Sequence, residues 1–149
     1  MTERIDRHVK IVCTLGPASS SPEAIEKLLN AGLDVARLNL NYGTLESHTE
    51  LINTVRSLSK RMSLNTGILL DLPGSKRFSG DTITIFRPHM EFAIEHQADY
   101  IALSFIRSAM LAQEAGELLR KMCSDIPIIV KIEKAQSLAE SDSILGVCD

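Results

Sequence analysis

Short apolar runs alternate along this chain with longer stretches whose apolar residues recur every three or four positions. Residues 10–15 (KIVCTL) form a β-branched run closed by Gly16 and Pro17, which predicts a buried strand and a turn. Ser21, Pro22 and Gly32 bracket a helix with a hydroxyl cap, a proline at the first position and a glycine stop; Ile25, Leu28 and Leu29 share its apolar face. A second strand is predicted at 35–40 (VARLNL), then a helix from about Thr44 to Met62 with the stripe Leu45, Ile52, Val55 and Leu58. The third strand is 67–72 (GILLDL), and Pro88 opens a short helix through MEFAIEHQ. A fourth strand at 100–105 (YIALSF), a helix from Ser108 to Cys123 and a fifth strand at 126–133 (IPIIVKIE) follow. A last helix leads to GVCD, read as the opening of a sixth strand.

Strands and helices alternating at this spacing require right-handed crossovers and a parallel sheet, so the fold class is α/β. Near-continuous apolar strands predict a sheet buried on both faces, as in a barrel or a doubly wound sheet. A complete eightfold barrel takes about 250 residues, so the 149 residues here make at most a partial one. An open doubly wound sheet would be complete at this length.

The alternation also sorts the polar residues. Val35, Arg37, Asn39 and Asn41 share one side of the second strand, with Ala36, Leu38 and Leu40 on the other. In the fifth strand Ile129, Lys131 and Glu133 share a side, with Ile128, Val130 and Ile132 opposite. The third strand ends in Asp71, and Asp149 closes the sequence. These charges sit toward strand C-termini, where ligands bind in barrels and open α/β sheets alike. Burying them is costly unless they pair or hold ions. A purely structural account pairs Lys131 with Glu133 and Arg37 with Asp71. A functional account gives Glu133 and Asp149 to Mg²⁺, and Arg37 and Lys131 to a transferring phosphoryl group.

Charge and composition narrow the partners. The formal net charge is -3, and the 16 Lys and Arg are scattered, so the footprint of a nucleic-acid binder is missing. No apolar run approaches the roughly 20 residues that span a bilayer. The opening MTERIDRHVK has no secretory segment, and a cytoplasmic protein is expected. Cys13, Cys123 and Cys148 lack metal-type spacing and are expected to be buried reduced thiols; the four histidines, on different elements, are expected at the surface.

The motifs KIVCTLGPASSS, DVARLNLNYG, LLDLPGSKRFSG, ADYIALSFIR and IPIIVKIEKAQSL occur in this order over nearly the whole chain. Together they resemble the strand motifs of the pyruvate kinase catalytic barrel. The resemblance implies a partial TIM-type barrel and transfer of phosphate from phosphoenolpyruvate to ADP, giving pyruvate and ATP. It implies that Arg37 contacts the phosphoryl group and that Lys131 stabilises that group and the enolate oxygen. Glu133 and Asp149 would bind Mg²⁺. Asn39, Asn41 and Asp71, with the Leu72 carbonyl beside them, would bind K⁺; Asn39 and Arg77 would also serve the nucleotide.

This chain departs from the family pattern at several positions: Asn41 stands for a serine, Tyr42 for a histidine, Phe78 for an arginine and Ser75 for a proline. Residues 80–87 form a short connection where the family inserts a lid domain, and the ARGD motif, last barrel strands and regulatory domain would come after Asp149. A single partial-barrel domain over 1–149, weak or inactive alone, is the expectation, either as a fragment or as a short relative. Two alternatives are a Mg²⁺-dependent lyase or aldolase acting on pyruvate or phosphoenolpyruvate, and a non-catalytic module that binds a phosphorylated ligand or associates with a second copy.

Overall fold

A computed structural model describes residues 8–74 and 82–148. In chain order they form β1 (Val12–Leu15), α1 (Pro22–Asn30), β2 (Val35–Asn39), α2 (Leu45–Arg61) and β3 (Gly67–Leu72). A 3-10 helix (Thr82–Ile85) precedes α3 (Arg87–Glu95), β4 (Tyr100–Leu103), α4 (Ala109–Lys121), β5 (Ile128–Val130), α5 (Ala135–Ala139) and α6 (Ser141–Leu145). None of the described helices is long and apolar enough to cross a membrane.

All strand pairs are parallel, and the order is β1-β2-β3-β4-β5. A doubly wound sheet reverses its strand order at a switch point. This sheet never reverses, so right-handed crossovers place the helices on one face, as in a TIM-type barrel that stops partway. Residues of even number in β2, β3 and odd number in β4 face the helices: Ala36, Leu38, Ile68, Leu70, Leu72, Ile101 and Leu103 join Ile25, Leu29, Val55, Met90 and Leu119 in one core. Hydroxyl caps start α1, α2 and α4. Ser21, Thr44 and Ser108 accept from the backbone N–H groups of Ala24, Ser47 and Leu111.

The other face corrects the expectation of a sheet buried on both sides. Leu69 and Ala102 are buried at its centre, but Val12 on the β1 edge is 51% exposed, and Tyr100 and Ile129 are exposed as well. Nothing among the described residues covers them.

Further corrections concern element ends. Pro88 takes the second helical position behind Arg87, and the expected α2 stripe loses Leu45, which is exposed, and gains His48, which is buried. Strand five is shorter than read. Its ladder matches Ile128, Ile129 and Val130 to Ile101, Ala102 and Leu103, and β4 then breaks at Phe105, whose φ is +60°. Lys131 and Glu133 therefore stand just past the strand, and Ile132 is exposed instead of packed. The last helix is two short ones, and residues 146–148 make a turn after α6 instead of opening a sixth strand. The cysteines are not buried as expected: Cys123 is exposed, Cys13 and Cys148 half-buried.

Candidate functional site

Strands β2 and β3 pair Asn39 with Asp71 in register, so both residues rise from the same end of the sheet. Asp71 is fully buried. Burial of a carboxylate needs donors, and the surrounding strands supply them. Arg37, two residues before Asn39, reaches Asp71 Oδ2 through Nη2 and, at 3.1 Å, through Nε. Lys131, from the end of β5, reaches the same oxygen with Nζ at 3.0 Å. Ser104, just past β4, donates its hydroxyl to Oδ1 at 3.1 Å. One carboxylate thus gathers two cations from strands that are not neighbours in the sheet.

Glu133 extends the cluster outward. Its Oε1 lies 3.4 Å from Lys131 Nζ, and its Oε2 accepts from the backbone N–H of Phe105 at 3.2 Å. The ion pairs of the structural account, Arg37–Asp71 and Lys131–Glu133, both form, and the Lys131–Asp71 contact joins them into one network. The network is neutral, yet its cations are not sealed in. The Arg37 side chain is 30% exposed and that of Lys131 25%, against 0% for Asp71. An anion arriving from solvent meets two positive groups already held in place.

Oxygen donors line the same rim. Asn39 Oδ1 accepts from Asn41 N at 3.0 Å and Asn41 Nδ2 at 2.9 Å, while Asp71 Oδ1 accepts only Ser104 among the described residues. Two amides and a carboxylate are hard donors suited to a monovalent or divalent cation. Glu133 offers a solvent-facing carboxylate beside the cations, a fit for Mg²⁺, which commonly binds through one or two carboxylates plus substrate oxygens. Among the described residues no three His, Cys, Asp or Glu side chains form a closed metal cage. Arg77 and Asp149 lie outside the described residues, as do Ser75 and Phe78.

Beside Arg37 and Asn39 a cleft of about 710 Å³ opens, lined by Thr14, Pro17, Asn39, Tyr42, His48 and Leu51 among others. Its walls are mainly apolar, with the hydroxyls of Thr14 and Ser47 and the amide of Asn39 among them, a composition that suits a flat organic ring. Another cleft, of about 640 Å³, lies at the opposite ends of the strands around Lys10, Arg56 and Asp99. There Arg56 pairs with Asp99 at 2.9 Å, and Asp99 caps the Ile68 N–H, a stabilising arrangement typical of the N-terminal barrel face.

Several contributors escaped the sequence reading. Thr14, on β1, accepts from Arg37 Nη1, and Ser104 holds Asp71. Both follow from the period-two alternation already applied to β2 and β5. Gly74 is needed for a different reason: a Cβ there would clash with the Ser104 carbonyl oxygen, so the segments just past β3 and β4 approach too closely for a side chain. No local signal announces that, nor the buried position of His48.

The family model described as "Pyruvate kinase, barrel domain" matches residues 6–84 and 86–149. A pyruvate kinase of Thermococcus litoralis is 25% identical, with 94% of this chain and 49% of that protein covered. Pyruvate kinases of Staphylococcus epidermidis and Staphylococcus aureus (strain USA300) are 53% and 54% identical over 68 residues, covering 46% of this chain and 12% of theirs. The chain thus spans about half of the first relative's length and far less of the others. With nearly every residue inside the family model and the strand order of its barrel, this chain belongs to the pyruvate kinase barrel-domain family.

Proposed function

We propose that this chain carries the phosphoryl-transfer half of a pyruvate kinase-type site, using phosphoenolpyruvate and ADP to give pyruvate and ATP in the cytoplasm. The supporting observation is the meeting of Arg37 and Lys131 on Asp71 with both cations still open to solvent. Phosphoryl transfer depends chiefly on positioning and charge. Arg37 holds the phosphoryl oxygens, and Lys131 lies between that group and the enolate oxygen released as the P–O bond breaks. Asp71 keeps both cations oriented, so little reorganisation is needed when the anion arrives. Glu133 and Asp149 would hold Mg²⁺, and Asn39, Asn41, Asp71 and the Leu72 carbonyl would hold K⁺, cations that would supply neutralisation of the phosphate charge. The nucleotide base takes the cleft beside Tyr42 and Asn39, and Arg77, outside the described residues, is the proposed further contact for the nucleotide.

Turnover by the 149-residue chain is slow in this reading, which takes 80–87 as a short connection in place of the family's lid, so that water stays in the site. The alignment with the Thermococcus litoralis protein runs over 231 positions, longer than the whole chain, which supports the reading that this chain lacks a stretch present in that protein. ATP formation from phosphoenolpyruvate and ADP tests the proposal. The expected result is slow transfer that needs Mg²⁺ and K⁺ and disappears in Lys131→Met. Transfer that survives in Lys131→Met, or cleavage of a pyruvate-derived acid without ADP, contradicts it.

A second proposal follows from Val12, Tyr100 and Ile129, exposed on the open sheet face. Apolar residues beside unpaired edge strands favour association, and a second copy is the simplest cover. Light scattering of wild type against Val12→Lys with Ile129→Lys should show a dimer reduced to monomer. A monomeric wild type rejects it.

A further inference from the structure

His48 sits in the first turn of α2, on the helix stripe that continues through Ile52 and Val55 into the core, and is 7% exposed. Its Nε2 lies 2.7 Å from the Tyr42 carbonyl oxygen. A carbonyl only accepts, so Nε2 carries the proton and donates. Nδ1 is buried and has no partner among the described residues. A buried ring nitrogen without a partner is costly, and an aliphatic residue would fill the stripe without that cost. What the imidazole offers instead is its hold on the loop between β2 and α2.

That loop is the one carrying the candidate oxygen donors. Leu40 N donates to the Asp71 carbonyl at 3.0 Å, Tyr42 N donates to the Asn39 carbonyl at 3.2 Å, and Asn41 donates twice to Asn39 Oδ1. Gly43 turns with φ +79°, and a Cβ there would lie 2.9 Å from Ser47 Oγ and 3.6 Å from His48 Nε2. The loop is therefore pressed onto the first turn of α2, and the His48–Tyr42 bond is the side-chain tie from the buried stripe to that turn.

We infer that His48 is a positioning residue: through the Tyr42 carbonyl it holds the 40–43 loop so that Asn39 and Asn41 present their amides beside Asp71. For the role of those amides toward a monovalent cation, the inference rests on the proposed K⁺ site; for the loop itself it stands alone.

The test uses the full chain with His48→Leu, His48→Gln and His48→Asn. Glutamine Nε2 reaches about as far as the imidazole Nε2, whereas the asparagine amide falls short. Amide hydrogen exchange at Leu40 and Tyr42, read by NMR, should quicken about tenfold in H48L and H48N and return to within about threefold of wild type in H48Q. The urea midpoint of H48L should stay level or rise, because the orphaned nitrogen is gone. In the same samples the K⁺ concentration that half-shifts the Asn39 and Asn41 side-chain amide signals should rise in H48L and recover in H48Q. Unchanged exchange in H48L overturns the inference, and so does equal loosening in all three variants with a lower urea midpoint, the mark of a purely structural histidine. If K⁺ moves no amide signal in wild type, the cation reading fails, and the exchange pattern alone decides the hold of His48 on the loop.

Discussion

Asp71 concentrates the energetics of the site. Its Oδ2 holds Arg37 and Lys131 and its Oδ1 holds Ser104, so Asp71→Ala takes the carboxylate from Arg37 and leaves Lys131 only the more exposed Glu133. Removing one partner of a buried ion pair costs about 3–5 kcal/mol. Partial exposure of Arg37 and Lys131 screens the loss toward the lower end, about 3 kcal/mol. Glu133→Gln, at an exposed position, should cost less than about 1 kcal/mol. Urea midpoints of the two variants check this, and an Asp71→Ala loss no larger than that of Glu133→Gln would remove Asp71 as the organising group. Much of this cluster was legible in the sequence, because side chains two apart on a strand share a face: Arg37 with Asn39, and Lys131 with Glu133. The link from Lys131 to Asp71 was not, since it joins residues 60 apart in sequence through the tertiary fold.

Among the elements, the starts of the hydroxyl-capped helices were the most readable, because each of these carries its own chemistry. The Ser21 cap with Pro22 and the Thr44 cap begin α1 and α2 where the sequence placed them. Ser21→Ala and Thr44→Ala should each cost about 1 kcal/mol and add, since the caps serve separate helices. The acidic residues of these first turns add a pH signature. Backbone hydrogen bonding at the helix start, and then the Ser21 hydroxyl, lowers the Glu23 carboxyl below its ordinary value; the backbone and then Thr44 do the same for Glu46. A lowered folded value means that the stabilisation is fully present above the ordinary glutamate range and is lost as pH falls through the lowered value. Acid unfolding of Glu23→Gln with Glu46→Gln should therefore show a shallower loss below that range than wild type, and identical acid limbs would contradict it. Element ends set by neighbours were less readable. Strand β5 looks apolar through Ile132, but β4 offers it only three ladder positions before Phe105 turns away. His48 entered the α2 stripe in place of Leu45 because the turn at Gly43 brings the first helical turn against the loop, a contact that periodicity alone does not encode.

For the whole molecule, the order of the motifs carried the fold, since consecutive parallel strands with one-sided helices wind in a single direction. The open face was misjudged because apolar strands report that burial is favourable, not that a partner is present. Val12 and Ile129 at the two edges show the difference. Function at this scale depends on whether five strands hold the charged cluster firmly enough to recognise a phosphorylated enol acid. Calorimetric titration of phosphoenolpyruvate into wild type and Lys131→Met, with Mg²⁺ and K⁺ present, tests this most directly. Saturable binding by wild type, weakened at least about tenfold by loss of the Lys131 cation, is predicted; equal affinity in the two proteins, or no binding by folded wild type, would contradict the account.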